Sequence, residues 1–296
     1  DVLFQWKDAS SGSLRTFSKE RAEKIRSNLT GKTMTIEKTE KKKKKTYAPL
    51  LYDLTELQRE CNSRFGYSAK ETLNIMQRLY ENHKVLTYPR TDSRYLTKDI
   101  IPTLRERIDS CGMGPYRTIA AKVKNRTFSG TLSFVNDAKV SDHHAIIPTE
   151  QTPDLSHMTV DERRVYDLVV RRFLAVLYPA FEYEEMVVTA KCGGDLFVAK
   201  GKTVLASGWK EAYGELQEET KEEEEDECRE QILPPLAQGM KLPVRSVRIK
   251  EGKTNPPARF REATLLSAME NPVKYMESGD KARAKTLTQT GGLGTV

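Results

Sequence analysis

Residues 159–190 have the sequence TVDERRVYDLVVRRFLAVLYPAFEYEEMVVTA, and the spacing of their apolar residues changes partway along. As far as Leu177 the apolar residues recur at the spacing of one helical face, and Thr159 with Glu162 forms a capping box at the start. From Glu184 the apolar residues alternate and β-branched residues dominate, which predicts a strand. The stretch therefore marks a boundary between a helical region and a β-rich region.

The rest of the sequence predicts a β-rich, then helical, then β-rich order. Ser18 is placed to cap a helix that ends before Gly31, and Ser68 with Glu71 forms a second capping box. The core-facing stripe after this second box consists of Leu73, Met76, Leu79 and Tyr80. The other predicted helices are residues 98–109 and 260–269. The predicted strands are residues 2–7, 33–39, 186–190, 196–198, 203–205 and 244–249. The simplest fold is mixed α and β and multidomain, with a helical domain inserted between two halves of a β domain.

The composition fits a soluble globular protein that favours an acidic partner. Of the 296 residues, 38% are hydrophobic and 31% are charged, and the formal net charge is +7. A basic excess is compatible with nucleic acid as the partner but does not identify it. No apolar run reaches the roughly 18 residues that a membrane span needs. The four cysteines form no Cys-x-x-Cys pair that would indicate a zinc or redox site. We therefore expect a cytoplasmic protein with no membrane segment.

The run of lysines from Lys41 to Lys45 leaves two interpretations open. It directly follows the alternating residues 33–39, so one interpretation extends that strand over a surface that faces DNA. The other interpretation, held equally, is a solvated and mobile segment. A mostly acidic run at residues 218–230 is interpreted as solvated and mobile.

A tyrosine-bearing segment between two predicted helices is the main candidate for chemistry. Residues 86–96 have the sequence LTYPRTDSRYL. Pro89 fixes its own φ angle and biases Tyr88 toward an extended backbone, in which Arg90 faces the same side as Tyr88. A phenol beside a guanidinium suits attack on a phosphodiester. On these residues alone, a buried tyrosine with a structural arginine is the more ordinary interpretation, with Asp92 paired to Arg90 or Arg94.

Several other segments of the chain show the same family resemblance as the tyrosine segment. They are YAPLLYDLTELQ at 47–58, SAKETLNIMQRLYE at 68–81, DHHAIIPT at 142–149, PPARF at 256–260 with EATL at 262–265, and GGLGT at 291–295. Together with LTYPRTDSRYL they resemble, in the correct order, the motifs of bacterial type IA DNA topoisomerases. The HHAIIPT form is most similar to the topoisomerase III branch. The resemblance covers nearly the whole chain.

The resemblance implies a role for each matching residue. In that family the tyrosine attacks one DNA strand and becomes joined to a 5′ phosphate, so Tyr88 is the expected nucleophile. Arg90 matches the arginine that contacts the scissile phosphate, and His143 matches the histidine that hydrogen-bonds the DNA backbone near the active site. The further residues expected to orient the loop or contact DNA are Thr87, Thr91, Ser93, Arg94, His144 and Arg259.

The resemblance also implies a domain organisation and a metal. The implied domains are a split β-arch gate domain at 1–57 and 183–250, a helical domain with the catalytic tyrosine at 58–182, and part of a single-stranded-DNA-binding domain at 251–296. In the family they belong to a toroidal architecture whose central hole holds a duplex. Family members bind Mg²⁺ through an Asp-x-Asp and a nearby glutamate of an N-terminal Toprim domain. No two aspartates lie two positions apart here, so we expect the metal ligands outside this chain, which we interpret as a fragment without the Toprim domain and the C-terminal region.

Three functions follow as alternatives. The complete enzyme would cleave one strand through a 5′-phosphotyrosine, pass a strand or duplex and religate without ATP, and no P-loop sequence is present. For the fragment alone, a catalytically silent DNA-binding or gate module is favoured over retained transesterification, since nothing evident deprotonates Tyr88 or protonates the leaving oxygen. A tyrosine recombinase-like strand transferase is a third alternative, disfavoured because Tyr88 comes early and lies in a Pro-Arg loop.

Overall fold

The computed structural model describes residues 1–128, 132–214 and 231–275, and these form two compact units. Each unit is assembled from separate stretches of the chain. Within the described residues, the first unit comprises 1–46, 180–208 and 231–256, and the second comprises 47–179, 209–214 and 257–275. Most of the second unit is therefore inserted in sequence between two parts of the first.

The first unit is built on an antiparallel sheet of five strands. The strands are β1 (Gln5–Lys7), β2 (Thr33–Thr46), β3 (Phe181–Cys192), β4 (Asp195–Ala206) and β5 (Lys241–Pro243). Their order in the sheet is β1-β4-β3-β2-β5. Strands β2 and β3 pair from Thr35 opposite Lys191 to Thr46 opposite Phe181. The long strands thus lie at the centre of the sheet, with the two short strands at its edges.

Helix α1 (Lys19–Leu29) covers part of this sheet. Its predicted cap is confirmed, because the Ser18 hydroxyl accepts a hydrogen bond from the Arg21 backbone N–H at 3.2 Å. The helix packs through Ile25 and Leu29. The residues of the sheet that share this apolar cluster are Met34, Ala190, Cys192 and Phe197. Burial of these side chains fixes the helix on the sheet.

Three of the predicted strands do not appear as separate strands in the structure. Residues 196–198 and 203–205 belong to the single strand β4, which runs straight through Gly201. A Cβ at Gly201 would lie 2.7 Å from the Leu233 side chain, so the glycine reflects a close approach and not a turn. The strand predicted at 244–249 is wrong, since the short strand β5 ends at Pro243. Val244 and Val247, which are three positions apart, pack on the α1 cluster without strand pairing.

The lysine run belongs to the sheet. Strand β2 continues through Lys41 to Lys45 and pairs with β3 along this length, so the interpretation as a mobile segment is wrong. Lys44 forms an ion pair with Glu185 at 2.7 Å, and Lys45 forms one with Glu182, also at 2.7 Å. The opposite charges across the two strands explain why a row of lysines tolerates a strand conformation. The acidic run at 218–230 lies outside the described residues.

The second unit is helical. Its helices are α2 (Leu54–Phe65), α3 (Ala69–Glu81), α4 (Leu104–Cys111), α5 (Arg117–Lys124), α6 (Val160–Leu177) and α7 (Glu262–Glu270). Both predicted capping boxes are confirmed, at Ser68 of α3 and at Thr159 of α6. The helix predicted at 98–109 begins instead as a 3-10 helix, Lys98–Thr103, before α4. Pro102 lies within the 3-10 turn, where its missing N–H is tolerated.

One continuous apolar core lies between α2, α3 and α6. The predicted core residues of α6 are all buried, namely Val165, Leu168, Val169, Leu174 and Leu177. In α3, Met76 and Leu79 are fully buried as expected. The prediction that Tyr80 faces the core is wrong, because this residue is 38% exposed at the edge of that stripe. A helical stripe of four residues is wide enough for its last member to reach the surface.

Helix α7 packs on α2 within the second unit. The backbone N–H of Ala263 donates to the Asn62 side chain at 3.1 Å, and Arg59 forms an ion pair with Glu270. The division into β-arch, tyrosine-bearing and single-stranded-DNA-binding domains stays a prediction. The GGLGT segment at 291–295 lies outside the described residues. Among the helices of the described ranges, none has the length and apolarity for a bilayer crossing.

Candidate active site

Tyr88 lies in a loop that is fixed at both ends. Helix α3 ends at Glu81, and Lys84 then adopts a left-handed φ of 57°, where the Thr149 hydroxyl donates to its carbonyl at 2.6 Å. Leu86 forms an isolated antiparallel bridge with Pro148. At the far end, the Leu96 N–H donates to the Phe134 carbonyl at 2.8 Å. The loop is therefore irregular but strongly held by backbone hydrogen bonds.

The side chain of Tyr88 packs between two other aromatic rings. The ring of His143 lies 4.5 Å from it between centroids, at an interplanar angle of 41°. Tyr80 meets it edge-on at 5.5 Å and 80°. Tyr88 is half-buried, and its hydroxyl forms no hydrogen bond with any residue that the structure describes. Two residues that the sequence predicted for one site, Tyr88 and His143, are thus in contact.

Arg90 follows Tyr88 on the exposed side of the loop. Its guanidinium forms no ion pair within the described ranges, which leaves it available to an external anion. Asp92, the alternative partner considered from the sequence, accepts a hydrogen bond from the Ser141 hydroxyl at 3.3 Å instead. Arg90, two residues from the half-buried Tyr88, is therefore chemically suited to bind a phosphodiester.

Thr91 and Ser93 are buried and connect the loop to its surroundings. The Thr91 hydroxyl donates to the His143 carbonyl at 2.8 Å, and the Thr91 carbonyl accepts from the Leu54 N–H at 3.1 Å. The Ser93 hydroxyl donates to the Lys139 carbonyl at 2.8 Å. In these positions both side chains orient the loop, and their contact with DNA stays a prediction.

Thr87 joins the tyrosine loop to the histidine segment at residues 142–149. Its N–H donates to the Ile147 carbonyl at 3.0 Å, and its hydroxyl accepts from the Ile147 N–H at 3.0 Å. The same hydroxyl lies 3.4 Å from the Ala145 carbonyl. This reciprocal pairing places Tyr88, the next residue along, beside His143.

Arg94 points toward the interior of the unit. Its Nε donates to the Leu51 carbonyl at 3.0 Å, and one terminal nitrogen lies 3.9 Å from Glu56. A second contact reaches the Leu50 carbonyl at 3.4 Å. Arg94 therefore binds the segment that precedes α2, and its predicted contact with DNA is untested.

His144 and Arg259 occupy different surroundings. The half-buried His144 has its Nδ1 2.7 Å from the Ala145 carbonyl. Burial, reinforced by the nearby Arg107, lowers its pKa below the ordinary value, so the ring is neutral at pH 7. Arg259 is exposed and forms no ion pair with described residues, and the structure does not bring it into contact with the tyrosine loop.

Two residues near the site were not predicted to belong to it. Tyr80, assigned to the core from its spacing, touches Tyr88 instead. Lys139 has its Nζ 4.7 Å from the centroid of the Tyr95 ring and 3.2 Å from the Tyr95 hydroxyl. The sequence could have placed Tyr80 near the site, since this residue lies in the last turn of the helix that leads into the loop. The sequence could not have placed Lys139 there, because its position depends on contacts with residues distant in sequence.

The described residues offer no cluster for a metal ion. In ranges 1–128, 132–214 and 231–275, no group of three or more His, Cys, Asp or Glu side chains could hold one. The residues present thus do not fit the magnesium that the resemblance implies.

Comparisons with known proteins show which family this sequence matches. The model of a family described as DNA topoisomerase matches residues 3–296. The chain is 55% identical to a "DNA topoisomerase 3" of Bacillus cereus over 291 residues, 98% of this chain and 40% of the relative. It is 52% identical to "DNA topoisomerase 3" of Bacillus subtilis (strain 168) over 295 residues, all of this chain and 40% of the relative. The chain thus spans about 40% of the length of these relatives.

A solved structure supports the fold. Full-length topoisomerase I of Thermotoga maritima superposes with a TM-score of 0.65 at 21% identity. The match covers 97% of this chain and 46% of that one. Since the family model matches almost every residue, and the relatives share about half of them, the chain belongs to the type IA family of bacterial DNA topoisomerases.

Proposed function

We propose that Tyr88 is the nucleophile of a topoisomerase that cleaves one DNA strand, passes a strand or duplex through the break and rejoins the ends without ATP. The observation that carries the proposal is the contact between the half-buried Tyr88 ring and His143, at 4.5 Å between centroids, in a loop fixed by backbone hydrogen bonds. A nucleophile held in one orientation loses less entropy on reaching the transition state.

The proposed reaction is a transesterification. The Tyr88 oxygen attacks the phosphorus of a phosphodiester, so an oxygen–phosphorus bond forms while the bond from phosphorus to the 3′ oxygen breaks. The phenol gives up its proton, and the 3′ oxygen takes one up as it leaves. The strand 3′ of the break stays on the protein as a 5′-phosphotyrosine. Because one ester replaces another, the reverse reaction reseals the strand without an external energy source.

Arg90 and His143 are proposed to act on the phosphate. The guanidinium of Arg90 is exposed and unpaired among the described residues, so two parallel hydrogen bonds to the phosphate oxygens are open to it. These bonds strengthen as negative charge builds in the transition state. His143 is exposed beside Tyr88 and is proposed to donate a hydrogen bond to the DNA backbone.

Proton transfer needs a partner for Tyr88. Attack by a phenol requires the loss of its proton, which a general base takes up. The described residues place no carboxylate on its hydroxyl. We propose that the acidic groups and the magnesium of the complete enzyme come from residues other than the described ones.

The proposed partner is DNA, single-stranded at the cleavage site, with a duplex held by the complete enzyme. The net charge of +7 supports a polyanionic partner. The topoisomerase relatives support DNA as that partner. The proposed location is the cytoplasm, in association with the nucleoid.

A covalent-adduct experiment tests the role of Tyr88. The chain is incubated with magnesium and single-stranded DNA labelled at the 3′ or the 5′ end, alone and with a separately supplied magnesium-binding domain of a topoisomerase 3. We expect an adduct that carries the 3′ label only in the supplemented sample, because the complement supplies the missing proton transfer. Tyr88→Phe should abolish it. Tyr95→Phe, a matched change in the same loop, should leave it intact.

Other outcomes point to the alternatives. An adduct that carries the 5′ label would indicate a 3′ link, as in a tyrosine recombinase. DNA binding without an adduct in any sample would indicate a silent DNA-binding or gate module. An adduct that persists in Tyr88→Phe would overturn the assignment of the nucleophile.

A further inference from the structure

Arg172 on α6 is a buried charge with an unusually complete set of partners. It is 5% exposed. Its Nε donates to the Tyr213 hydroxyl at 2.6 Å, and one terminal nitrogen donates to the Leu50 carbonyl at 2.9 Å. The other terminal nitrogen lies 2.8 Å from Glu60 and 3.1 Å from the Tyr52 hydroxyl. Its guanidinium also stacks on the Tyr52 ring, 4.1 Å from the centroid. Every edge of the planar group is therefore used.

The charges around Arg172 are balanced. Burial alone would lower the pKa of Arg172, but Tyr52, Tyr213 and Glu60 together raise it above its ordinary value. Burial raises the pKa of Tyr52, so its hydroxyl stays protonated and donates to Glu60. The second oxygen of Glu60 accepts from Arg64 at 2.8 Å. A network with all its members hydrogen-bonded is rigid, whereas one missing member leaves a costly buried charge.

This network reaches the segment from Leu50 to Leu54. Both loops of the candidate active site form hydrogen bonds with the same segment. Arg94 of the tyrosine loop donates to the Leu51 carbonyl at 3.0 Å and reaches the Leu50 carbonyl, which Arg172 also binds. The Leu54 N–H donates to the Thr91 carbonyl at 3.1 Å. One segment therefore binds both Arg172 and the loop that carries Tyr88.

The same segment holds the histidine side of the site. The Tyr52 carbonyl accepts from the Ile146 N–H at 2.8 Å, within residues 142–149. Arg172 thus holds Tyr52 by its ring and hydroxyl, while the backbone of Tyr52 anchors the segment that carries His143. A shift of this residue would therefore disturb the segment that carries His143.

We propose that Arg172 is a positioning residue for strand cleavage, which sets the Tyr88 loop and the His143 segment in register through Leu50–Leu54. This inference rests on the proposed function. Arg172 touches neither ring of the Tyr88–His143 pair. It acts through the backbone that both loops share, and effects of about 1 Å on reacting groups are large in catalysis.

Amide hydrogen exchange tests the positioning without any need for activity. In Arg172→Lys the charge is kept, but a lysine cannot contact Tyr213, Leu50 and Glu60 in the fork geometry of arginine. We expect exchange at least tenfold faster for the amides of Leu54, Thr87 and Ile146, with α3 unchanged. Arg164→Lys, on the same helix but half-exposed in its pair with Asp161, is the matched control and should change none of these amides.

A milder variant covers the case in which Arg172→Lys does not fold. Tyr213→Phe removes only the hydroxyl that orients the Arg172 Nε and leaves the ion pair with Glu60 in place. We expect the same amides to exchange faster, by a smaller factor. Exchange that accelerates uniformly over the helical unit, or not at all, in both variants would overturn the inference.

Strand cleavage then separates positioning from simple stability. In the adduct assay we expect Arg172→Lys to form adduct at least tenfold more slowly, while its affinity for single-stranded DNA changes less than threefold. Combined with Arg94→Lys, the losses should be non-additive, because both arginines act on the Leu50 carbonyl. Rates that fall only in proportion to the folded fraction would reject the positioning role. If the unchanged chain forms no Tyr88 adduct, the proposed function fails, and the exchange pattern still decides on Arg172.

Discussion

At the scale of single residues, the Tyr88–His143 pair combines two different demands. As the proposed nucleophile, Tyr88 has to remain accessible to a phosphate, and its ring has to stay in one orientation. The ring contacts to His143 and Tyr80 satisfy the second demand, while the unpartnered hydroxyl among the described residues satisfies the first. Aromatic neighbours suit this purpose because they restrict a ring without competing for its hydroxyl.

The proposed role of His143 leads to a specific expectation. His143→Phe keeps an aromatic ring against Tyr88 but removes both ring nitrogens, so the DNA backbone loses a hydrogen bond. We expect adduct formation to slow by about tenfold to a hundredfold, the loss of roughly 1.5–3 kcal/mol that a hydrogen bond to a charged group contributes. The melting temperature should not change.

The control for this variant is His157→Phe, since His157 is exposed and paired with Asp154 away from the loop. Its adduct formation should match that of the unchanged chain. If His143→Phe cleaves at the unchanged rate, the histidine only packs against the tyrosine.

The residues of this site differ in how far the sequence alone predicts them. Tyr88, Arg90 and His143 were identified because their motifs are long, and the structure brings Tyr88 and His143 together. The inward direction of Arg94 was not predicted, because it depends on carbonyls near Leu50 that only the folded chain places there. Tyr80 was misassigned because helical spacing identifies a face of a helix but not where that face reaches the surface.

At the scale of the elements, the start of α6 is joined to the end of α3 by Glu162. This residue is 3% exposed, and its carboxylate accepts hydrogen bonds from Arg78 at 2.7 Å and from the Thr159 N–H at 2.8 Å. Burial alone would raise the pKa of Glu162, but Arg78 and Thr159 together lower it from 4.5 to about 2. The residue therefore serves both as a helix cap and as an ion-pair partner.

The low pKa of Glu162 gives stability a defined dependence on pH. Because the pKa is lower in the folded state, the contribution is fully present above about pH 4.5 and is lost as the pH falls toward 2. Glu162→Gln keeps a capping side chain but removes the charge. We expect it to lower the free energy of unfolding by about 2 kcal/mol at pH 7, measured by urea denaturation.

The same measurement at pH 2.5 should show a much smaller difference between Glu162→Gln and the unchanged chain. Asp161→Asn, next to it but half-exposed in its pair with Arg164, is the control and should change stability by less than about 0.5 kcal/mol at either pH. A pH-independent loss in Glu162→Gln would mean that its packing, and not its charge, matters.

The strands show a limit of pattern-based prediction. The sequence placed β2 correctly at its start, but the lysines from Lys41 to Lys45 left its length undecided. What extends the strand is the set of acidic residues on β3, Glu182, Glu184 and Glu185, which lie far along the chain. Strand length depends on the partner, and a single stretch of sequence does not contain the partner.

At the scale of the whole molecule, the helical insertion was predicted from the change of hydrophobic period near residue 180. In the structure, the stretch 47–179 of the helical unit ends at that change in the sequence, and the stretch 180–208 of the β unit begins there. The position of α7 was not predicted, because its anchor on α2 uses polar contacts such as those of Asn62 and Arg59. Polar surface contacts leave no periodic pattern in a sequence.

The proposed binding to DNA, which the net charge of +7 supports, should weaken as the salt concentration rises. Each phosphate neutralised by Lys or Arg releases counterions, so the affinity falls as salt rises. We expect the affinity for a single-stranded oligonucleotide to fall on the order of tenfold between about 50 and 200 mM salt, measured by fluorescence anisotropy. An affinity that stays level across this range would indicate binding by stacking alone.

The contacts that hold the tyrosine loop can form only in a certain order while the chain is being synthesised. They join residues near 50, 90, 146, 172 and 213, which leave the ribosome in that order. A nascent chain that ends before Arg172 has already made Tyr88 but lacks the clamp on Tyr52. The Tyr88 phenol is therefore present for several seconds, at a translation rate of roughly 5–20 residues per second, before Arg172 can hold Tyr52. Half-made copies of the protein consequently carry Tyr88 without all of the contacts that fix its loop.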